Sequence, residues 1–128
     1  MDKKVILISI DGLRPDAVET CGHPFVNTLR ENGCYSPDAS SVVPPVTLPA
    51  HTSIFYSVPP TRHGIITNDY MPPVRPIRGL AEQLERADKT CAAFYGWEPM
   101  RHVWTSGNMK YSLFVNEYEE DNSDLLLT

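Results

Sequence analysis

The chain has 128 residues, and its 11 basic and 16 acidic side chains give a formal net charge of −5. This acidic balance argues against binding to the phosphate backbone of a nucleic-acid polymer as the main role. The hydrophobic fraction of 41% and the charged fraction of 21% are typical of a globular domain and exclude global disorder. Twelve prolines, most of them between Pro37 and Pro76, exclude long helices and central strands across much of that region.

The first predicted element is a strand at residues 4–10, which read K-V-I-L-I-S-I. A continuous apolar run of this kind is typical of a strand buried on both faces of a parallel sheet that helices cover. The run ends at Asp11 and Gly12, a polar turn pair. Strand, polar loop and a following helix make half of a βαβ unit, so we predict an α/β fold with a parallel sheet flanked by helices.

Three helices and two further strands are predicted along the rest of the chain. Prolines suited to a first helical turn, and apolar residues at helical spacing, mark the helices. We expect Phe25, Val26 and Leu29 to share one helix face, and Ile54 and Phe55 to point inward from the next helix. The predicted elements are a helix from Pro24 that Gly33 caps, helices at Leu48–Ser57 and Ile77–Ala87, strands at Lys89–Tyr95 and Met109–Val115, and an acidic tail at Asn116–Asp124.

The pattern of cysteines and the shortness of the apolar segments indicate the cellular compartment of the protein. Cys21, Cys34 and Cys91 are odd in number and lack C-x-x-C spacing, so neither a disulfide framework nor a zinc knuckle is indicated. The apolar run at residues 5–10 is too short for a secretory signal or a transmembrane helix. We therefore expect reduced thiols, a cytoplasmic location and no membrane segment.

Asp11 is the first candidate for chemistry, because it stands at the carboxyl end of the first predicted strand. Ligands of open parallel sheets bind outside the carboxyl ends of the strands, and a carboxylate there suits a hard cation. A turn or helix-cap role together with Gly12 explains the same pair of residues. The motif alone leaves both interpretations open.

Thr47 is the second candidate, at the start of the helix predicted in P-P-V-T-L-P-A-H. Its hydroxyl would face an anion, with unpaired amide donors and the positive end of the helix dipole beside it. An N-cap threonine is the alternative, which the spacing alone favours. No Ser-His-Asp order is evident, so a metal would have to activate the hydroxyl.

Asn68 is the third candidate, in the segment H-G-I-I-T-N. Its amide N–H₂ group is a donor for a phosphate oxygen, although Asn followed by Asp is also ordinary turn chemistry. His51 and His63 form no H-x-x-x-H pair, and we expect them to be surface or loop histidines.

Three motifs in this order resemble the start of the alkaline phosphatase superfamily, and within it the type I phosphodiesterase/nucleotide pyrophosphatase family. The first, V-I-L-I-S-I-D-G-L-R-P-D, is similar to the family's opening strand and metal-binding Asp-Gly. P-P-V-T-L-P-A-H is similar to its nucleophile segment, and V-P-P-T-R-H-G-I-I-T-N to the stretch that carries a phosphate-contacting asparagine. The resemblance covers almost the whole chain.

The resemblance implies an alkaline-phosphatase-like fold and a metal-dependent hydrolase of phosphodiester or pyrophosphate bonds. Asp11 would be a ligand of two divalent metal ions, which are zinc in the family. Thr47 would be the nucleophile and also a metal ligand, and Asn68 would hold a non-bridging phosphate oxygen of a small phosphodiester or nucleotide substrate. A phosphomutase or phosphonate hydrolase of the same superfamily is the alternative enzyme.

The resemblance also implies that the metal site is incomplete. In the family most metal ligands are later Asp and His residues, and no matching pattern follows Asn68 here. We therefore expect residues 1–128 to be the N-terminal portion of a larger catalytic domain, inactive in isolation. The alternative from another class is a non-catalytic binding or assembly module that self-associates through an exposed sheet edge.

Overall fold

A computed structural model describes residues 3–73, 76–104 and 109–116. The chain divides into two compact units, Met1–Ser40 and Ser41–Thr128. Helices occur in both units, and the strands belong to the second. The elements of the described residues are α1 (Pro15–Thr20), α2 (Pro24–Asn32), α3 (Thr47–Tyr56), α4 (Pro60–His63), α5 (Leu80–Arg86), β1 (Ala92–Tyr95), a 3₁₀ helix (Glu98–Val103) and β2 (Tyr111–Phe114).

The strand predicted at residues 4–10 is wrong for the described structure, in which this segment belongs to no strand. Its apolar side chains are exposed, with Val5 at 90% and Ile8 at 76%. An apolar run forms a buried strand only where a neighbouring strand pairs with its peptide groups and other elements cover its faces. The one sheet that the described residues form contains β1 and β2 alone, so the run lacks both conditions.

Helix α2 confirms the helix predicted from Pro24. Gly33 caps it, as predicted, and donates its backbone N–H to the Leu29 carbonyl at 2.9 Å. A side chain at Gly33 would not fit, because its Cβ would lie 2.8 Å from the same carbonyl oxygen. Phe25 and Leu29 are nevertheless more than half exposed, so the apolar face of α2 is not buried within the described structure.

Helix α3 lies within one residue of the prediction at each end. Phe55 is half-buried and meets the Trp104 ring edge-on at 5.2 Å between centroids, as an inward-facing residue should. Ile54, in contrast, is 55% exposed, so its predicted inward orientation is wrong. Burial follows the helical repeat from Leu48 through Thr52 to Phe55, and Ile54 lies off that stripe.

The core of the second unit joins α3 to the segment after α4. Leu48 is fully buried and packs with Ile65, Met100 and Val103, which are 3%, 8% and 3% exposed. Leu48 comes from the first turn of α3, and Met100 and Val103 come from the 3₁₀ helix. Because Ile65 belongs to the loop after α4, this core fixes the loop against the beginning of α3.

Helix α5 is shorter than the predicted span Ile77–Ala87 and begins at Leu80. Gly79 is the N-cap, and its backbone N–H donates to Glu82 Oε2 at 3.2 Å. This bond satisfies a donor at the helix start and sets the boundary three residues after Ile77.

Strands β1 and β2 confirm the two strands predicted in the last third of the chain, each shorter than expected. They pair in parallel, from Ala92 opposite Tyr111 to Tyr95 opposite Phe114. Helices together with a parallel sheet confirm the α/β fold class. The predicted acidic tail lies outside the described residues except for Asn116.

Candidate functional site

Thr47 is the first residue of α3 and is half-buried. The N-cap is Val46, in extended conformation with φ −109° and ψ 149°, and no side chain of that residue caps the helix. The interpretation of Thr47 as an N-cap threonine is therefore wrong. The Thr47 carbonyl lies 2.9 Å from His51 Nδ1, which must carry the proton because a carbonyl oxygen only accepts.

Asn68 lies at the beginning of α3, although it is 20 residues away from Leu48 in the chain. Its Oδ1 accepts a hydrogen bond from the Leu48 N–H at 3.0 Å and so caps the helix from outside. The structure thereby brings Asn68 next to Thr47. The bond also assigns the amide orientation, because only the oxygen can accept from an N–H, and Nδ2 is left as the donor group.

This cap changes which donors an anion at the start of α3 would meet. The Leu48 N–H is engaged by Asn68, and Pro49 has no N–H. Fewer backbone N–H donors are therefore available to an anion beside Thr47 than the sequence predicts. The Nδ2 group of Asn68 is the donor that the fold adds at this position.

His63 is 1% exposed, and the expectation of a surface or loop histidine is wrong for it. It ends α4, and its Nδ1 accepts from the Ile65 N–H at 3.1 Å. Its Nε2 lies 3.0 Å from Ser53 Oγ on α3. An Nδ1 that accepts must be unprotonated, so the neutral ring carries its proton on Nε2. Burial lowers the pKa of His63, and a hydrogen bond to the Pro49 carbonyl opposes that shift.

His51 is also buried, and the expectation of a surface or loop position is wrong for it as well. It lies within α3, one turn after Thr47, and the 2.9 Å contact with the Thr47 carbonyl follows from the helical repeat. In the described structure His51 is therefore a buried helical residue whose ring contacts the carbonyl of the first residue of α3.

Asp11 is exposed and forms a turn with Gly12 in the N-terminal unit. Gly12 has φ +67°, a left-handed conformation that favours glycine, and this agrees with the turn interpretation of the pair. Thr47 and Asn68 belong to the second unit. Of the three predicted site residues, the second unit therefore brings two together, and Asp11 is described with the N-terminal unit.

The described residues do not supply a two-metal site. They contain no group of three or more His, Cys, Asp and Glu side chains placed to hold a metal ion. A pair of metal ions needs several protein ligands, of which Asp11 and Thr47 would be two.

Among the residues that the structure describes, no helix combines the length and the apolar content needed to cross a bilayer.

Residues 5–119 match the family of type I phosphodiesterases and nucleotide pyrophosphatases. The chain belongs to this family. The match confirms the resemblance drawn from the three motifs, and Asp11, Thr47 and Asn68 all lie within it. No solved structure matches the chain.

Several proteins named as pyrophosphatases/phosphodiesterases are similar to more than half of this chain. Ectonucleotide pyrophosphatase/phosphodiesterase family member 1 of Homo sapiens is 36% identical over 79% of the chain and 10% of its own length. The Rattus norvegicus protein of the same name is 30% identical over 80% of the chain and 11% of its own length. An uncharacterized pyrophosphatase/phosphodiesterase of Schizosaccharomyces pombe is 34% identical over 55% of the chain and 14% of its own length. The chain thus spans about a tenth of the length of the first two relatives.

Sequence reasoning missed helix α4 and the contacts of His63. A signal for α4 was present, since Pro60 suits a first helical turn and Gly64, at φ +80°, ends the helix. The bond from His63 to Ser53 had no signal, because it depends on how α4 lies on α3. The bond from the Ile65 N–H to His63 is local, between residues two apart in the chain.

Proposed function

We propose that the chain belongs to a metal-dependent hydrolase of phosphodiester or pyrophosphate bonds in which Thr47 is the nucleophile. The observation that carries the proposal is the position of Asn68, whose Oδ1 is 3.0 Å from the Leu48 N–H. This contact puts a side-chain amide beside a hydroxyl residue at the positive end of a ten-residue helix. Membership in the phosphodiesterase family supports the same reaction class.

The proposed reaction has two displacement steps. Thr47 Oγ loses its proton and forms a bond to phosphorus, the bond from phosphorus to the leaving oxygen breaks, and that oxygen takes up one proton, which balances the proton lost by the hydroxyl. Water then cleaves the phosphothreonine, which releases the phosphoryl product and restores the hydroxyl. Asn68 Nδ2 donates to a non-bridging oxygen, where negative charge is concentrated during both steps. Because Oδ1 is held by the Leu48 N–H, the donor is oriented before the substrate arrives.

Two divalent metal ions, zinc in the family resemblance, are the cofactor we propose, with Asp11 and Thr47 among their ligands. Bound divalent ions can lower the pKa of a hydroxyl and stabilise a leaving oxygen. The described residues do not complete that ligand set. Metal analysis of the purified chain tests this view, and close to two zinc ions per chain would contradict an incomplete site.

We propose further that residues 1–128 are the N-terminal portion of a larger catalytic domain and have no turnover in isolation. The share of each relative that the chain matches, 10% and 11% for the human and rat proteins, supports this proposal. Turnover of a chromogenic phosphodiester by the purified chain at a rate typical of enzymes would contradict it.

Substitution of Thr47 tests the nucleophile in a protein that carries this segment within a complete catalytic domain. Thr47→Ala is expected to lower the turnover of bis(p-nitrophenyl) phosphate by about 10³-fold or more, because the attacking oxygen is removed. Ile54→Ala is the matched control, since Ile54 is exposed on the same helix. Unchanged turnover in Thr47→Ala would exclude this residue as the nucleophile. Parallel assays with monoesters and phosphonates separate the phosphomutase and phosphonate hydrolase alternatives.

A non-catalytic assembly module is the second candidate, which the exposed apolar run at residues 5–10 favours. A stable self-associated state without bound metal and without phosphodiester binding would support this candidate against the hydrolase.

The cytoplasmic location is likewise a proposal, supported by three cysteines that are free thiols in the described residues. Fractionation of cells that express the natural protein tests it.

A further inference from the structure

His63 connects the two segments that carry Thr47 and Asn68 through hydrogen bonds to Ser53 and Ile65. On one side its Nε2 meets Ser53 Oγ, six residues after Thr47 on α3. On the other side its Nδ1 accepts the Ile65 N–H, three residues before Asn68. Each ring nitrogen therefore binds a different segment of the chain.

The remaining contacts join the same two segments of the chain on either side of His63. Leu48 and Ile65 pack in the same core cluster, and the Leu48 N–H donates to Asn68 Oδ1. The loop is thus attached to α3 at three points, which are the polar contact at Asn68, the apolar contact at Ile65 and the polar contact at His63. Asn68 itself is exposed, so its position depends on these attachments rather than on burial of its own side chain.

We infer that His63 is a positioning residue, whose neutral imidazole holds the loop on α3 so that Asn68 stays at the helix start beside Thr47. The inference rests on the proposed function, because it assigns Asn68 as the phosphate contact. A buried ring with both nitrogens bonded can hold this position without reorganisation. Only the neutral tautomer with its proton on Nε2 satisfies both partners, and burial favours that uncharged form.

Two substitutions weaken the link between His63 and helix α3, one on each side of that link. Ser53→Ala removes one partner of the ring on α3 and leaves its hydrogen bonds to the Pro49 carbonyl of the same helix and to the Ile65 N–H. His63→Asn supplies an oxygen in place of Nδ1 for the Ile65 N–H and cannot reach Ser53. The double variant removes nothing further from the link. The double variant is therefore expected to behave like His63→Asn, and Ser53→Ala to have a smaller effect because the Pro49 contact remains. Effects that do not add are the signature of a coupled pair in a double-mutant cycle.

The measurement uses a protein that carries this segment within a complete catalytic domain, and dimethyl phosphate, a phosphodiester that needs no turnover to report binding. Side-chain amide signals of Asn68 in ¹⁵N-labelled protein follow the titration. We expect His63→Asn to weaken the dimethyl phosphate affinity by about fivefold, Ser53→Ala to weaken it less, and the double variant to weaken it no more than His63→Asn does. Phe55→Leu is the matched control, since it loosens packing at the other end of α3 and leaves all three attachments in place.

The outcomes separate the inference from the proposed function. If Asn68 signals of the unaltered protein do not move with dimethyl phosphate, the proposed phosphate contact fails and the inference fails with it. If they move with the same affinity in all variants, only the positioning role of His63 is overturned. An equal weakening in Phe55→Leu at matched stability would show a general effect of loosened packing and would also overturn it.

Discussion

The side chain of Asn68 caps helix α3 from a loop, with its Oδ1 3.0 Å from the Leu48 N–H. A loop residue thereby satisfies an orphan donor that the local sequence does not, because the N-cap position holds Val46. One amide side chain has two roles in this arrangement. Its oxygen stabilises the helix, and its nitrogen is the donor that we propose for a phosphate oxygen.

Substitutions of Asn68 should separate those two roles. Asn68→Ala is expected to lower the free energy of unfolding by about 1 kcal/mol, because the helix loses its capping oxygen. Asn68→Asp keeps an acceptor for the Leu48 N–H, so its stability should stay close to that of the unaltered chain. Urea denaturation followed by circular dichroism measures both changes.

Binding of a phosphodiester should distinguish Asn68→Asp from the unaltered chain, although the two proteins should have similar stability. Asn68→Asp replaces the Nδ2 donor with a charged oxygen, so we expect it to lose dimethyl phosphate binding although it retains the cap. A fully stable Asn68→Asp protein that binds the phosphodiester as well as the unaltered chain does would contradict the proposed contact.

Leu48 links the site to the core, and its truncation should be the most destabilising of these changes. Leu48→Ala is expected to cost about 2–5 kcal/mol, because the side chain is fully buried against Ile65 and the 3₁₀ helix. Ile54→Ala on the same helix is the control and should change stability by no more than about 0.5 kcal/mol, since its side chain is largely exposed. Equal urea midpoints for the two variants would be inconsistent with the described core.

The stability of the second unit should depend on pH through His63. Burial lowers the pKa of this residue in the folded state below its ordinary value of about 6.5. The unfolded chain then binds the proton more readily, so the free energy of unfolding is highest above about pH 6.5 and falls as the pH drops towards the folded-state pKa. Below that pKa both states are protonated and this contribution no longer changes.

Urea midpoints between pH 5 and 7.5 measure this dependence. The His63→Asn variant should show a smaller decrease in stability on acidification than the unaltered chain. His102→Asn is the control, because His102 is exposed and stacks on Tyr70 at 4.3 Å between ring centroids, and removing it leaves His63 in place. If His63→Asn and the unaltered chain have the same pH profile, the pKa of His63 does not differ between the folded and unfolded states.

Self-association should follow the exposed apolar run rather than the sheet. Ile6 is 85% exposed and Ile8 is 76% exposed within one short segment, which is an apolar patch of the kind that mediates association. Ile6→Lys together with Ile8→Lys is expected to shift the chain towards monomer in sedimentation velocity experiments. Phe94→Lys tests the sheet-edge alternative, because Phe94 is exposed on β1. A shift to monomer with Phe94→Lys alone would favour the sheet.

Local patterns were enough to place several elements. Proline in the first turn and glycine after the last turn predict α2 within a residue, because both act through their own backbone dihedral angles. Pro49 in the first turn located α3, and the Asp11–Gly12 turn followed from the left-handed conformation that glycine tolerates. The family, too, was evident from the residue types and the order of three short motifs.

Burial could not be read from hydrophobicity alone. The segment at residues 4–10 has the composition of a central strand, yet it is exposed in the described structure because no described strand pairs with it. The predicted inward orientation of Ile54 is wrong for a related reason. A helix buries the stripe that meets its neighbours, and the neighbours of α3, including the 3₁₀ helix, lie on the side of Leu48.

The sequence by itself determined the family, the helices that start at proline and the three residues proposed for chemistry. Only the tertiary structure decided that Asn68 caps the helix of Thr47 and that a buried His63 holds the loop in place. These contacts join residues 10 to 20 positions apart, and no local propensity encodes a bond whose partners meet through packing. The core around Leu48 brings those segments together, and the hydrogen bonds follow because polar groups at its edge must find partners once water is excluded.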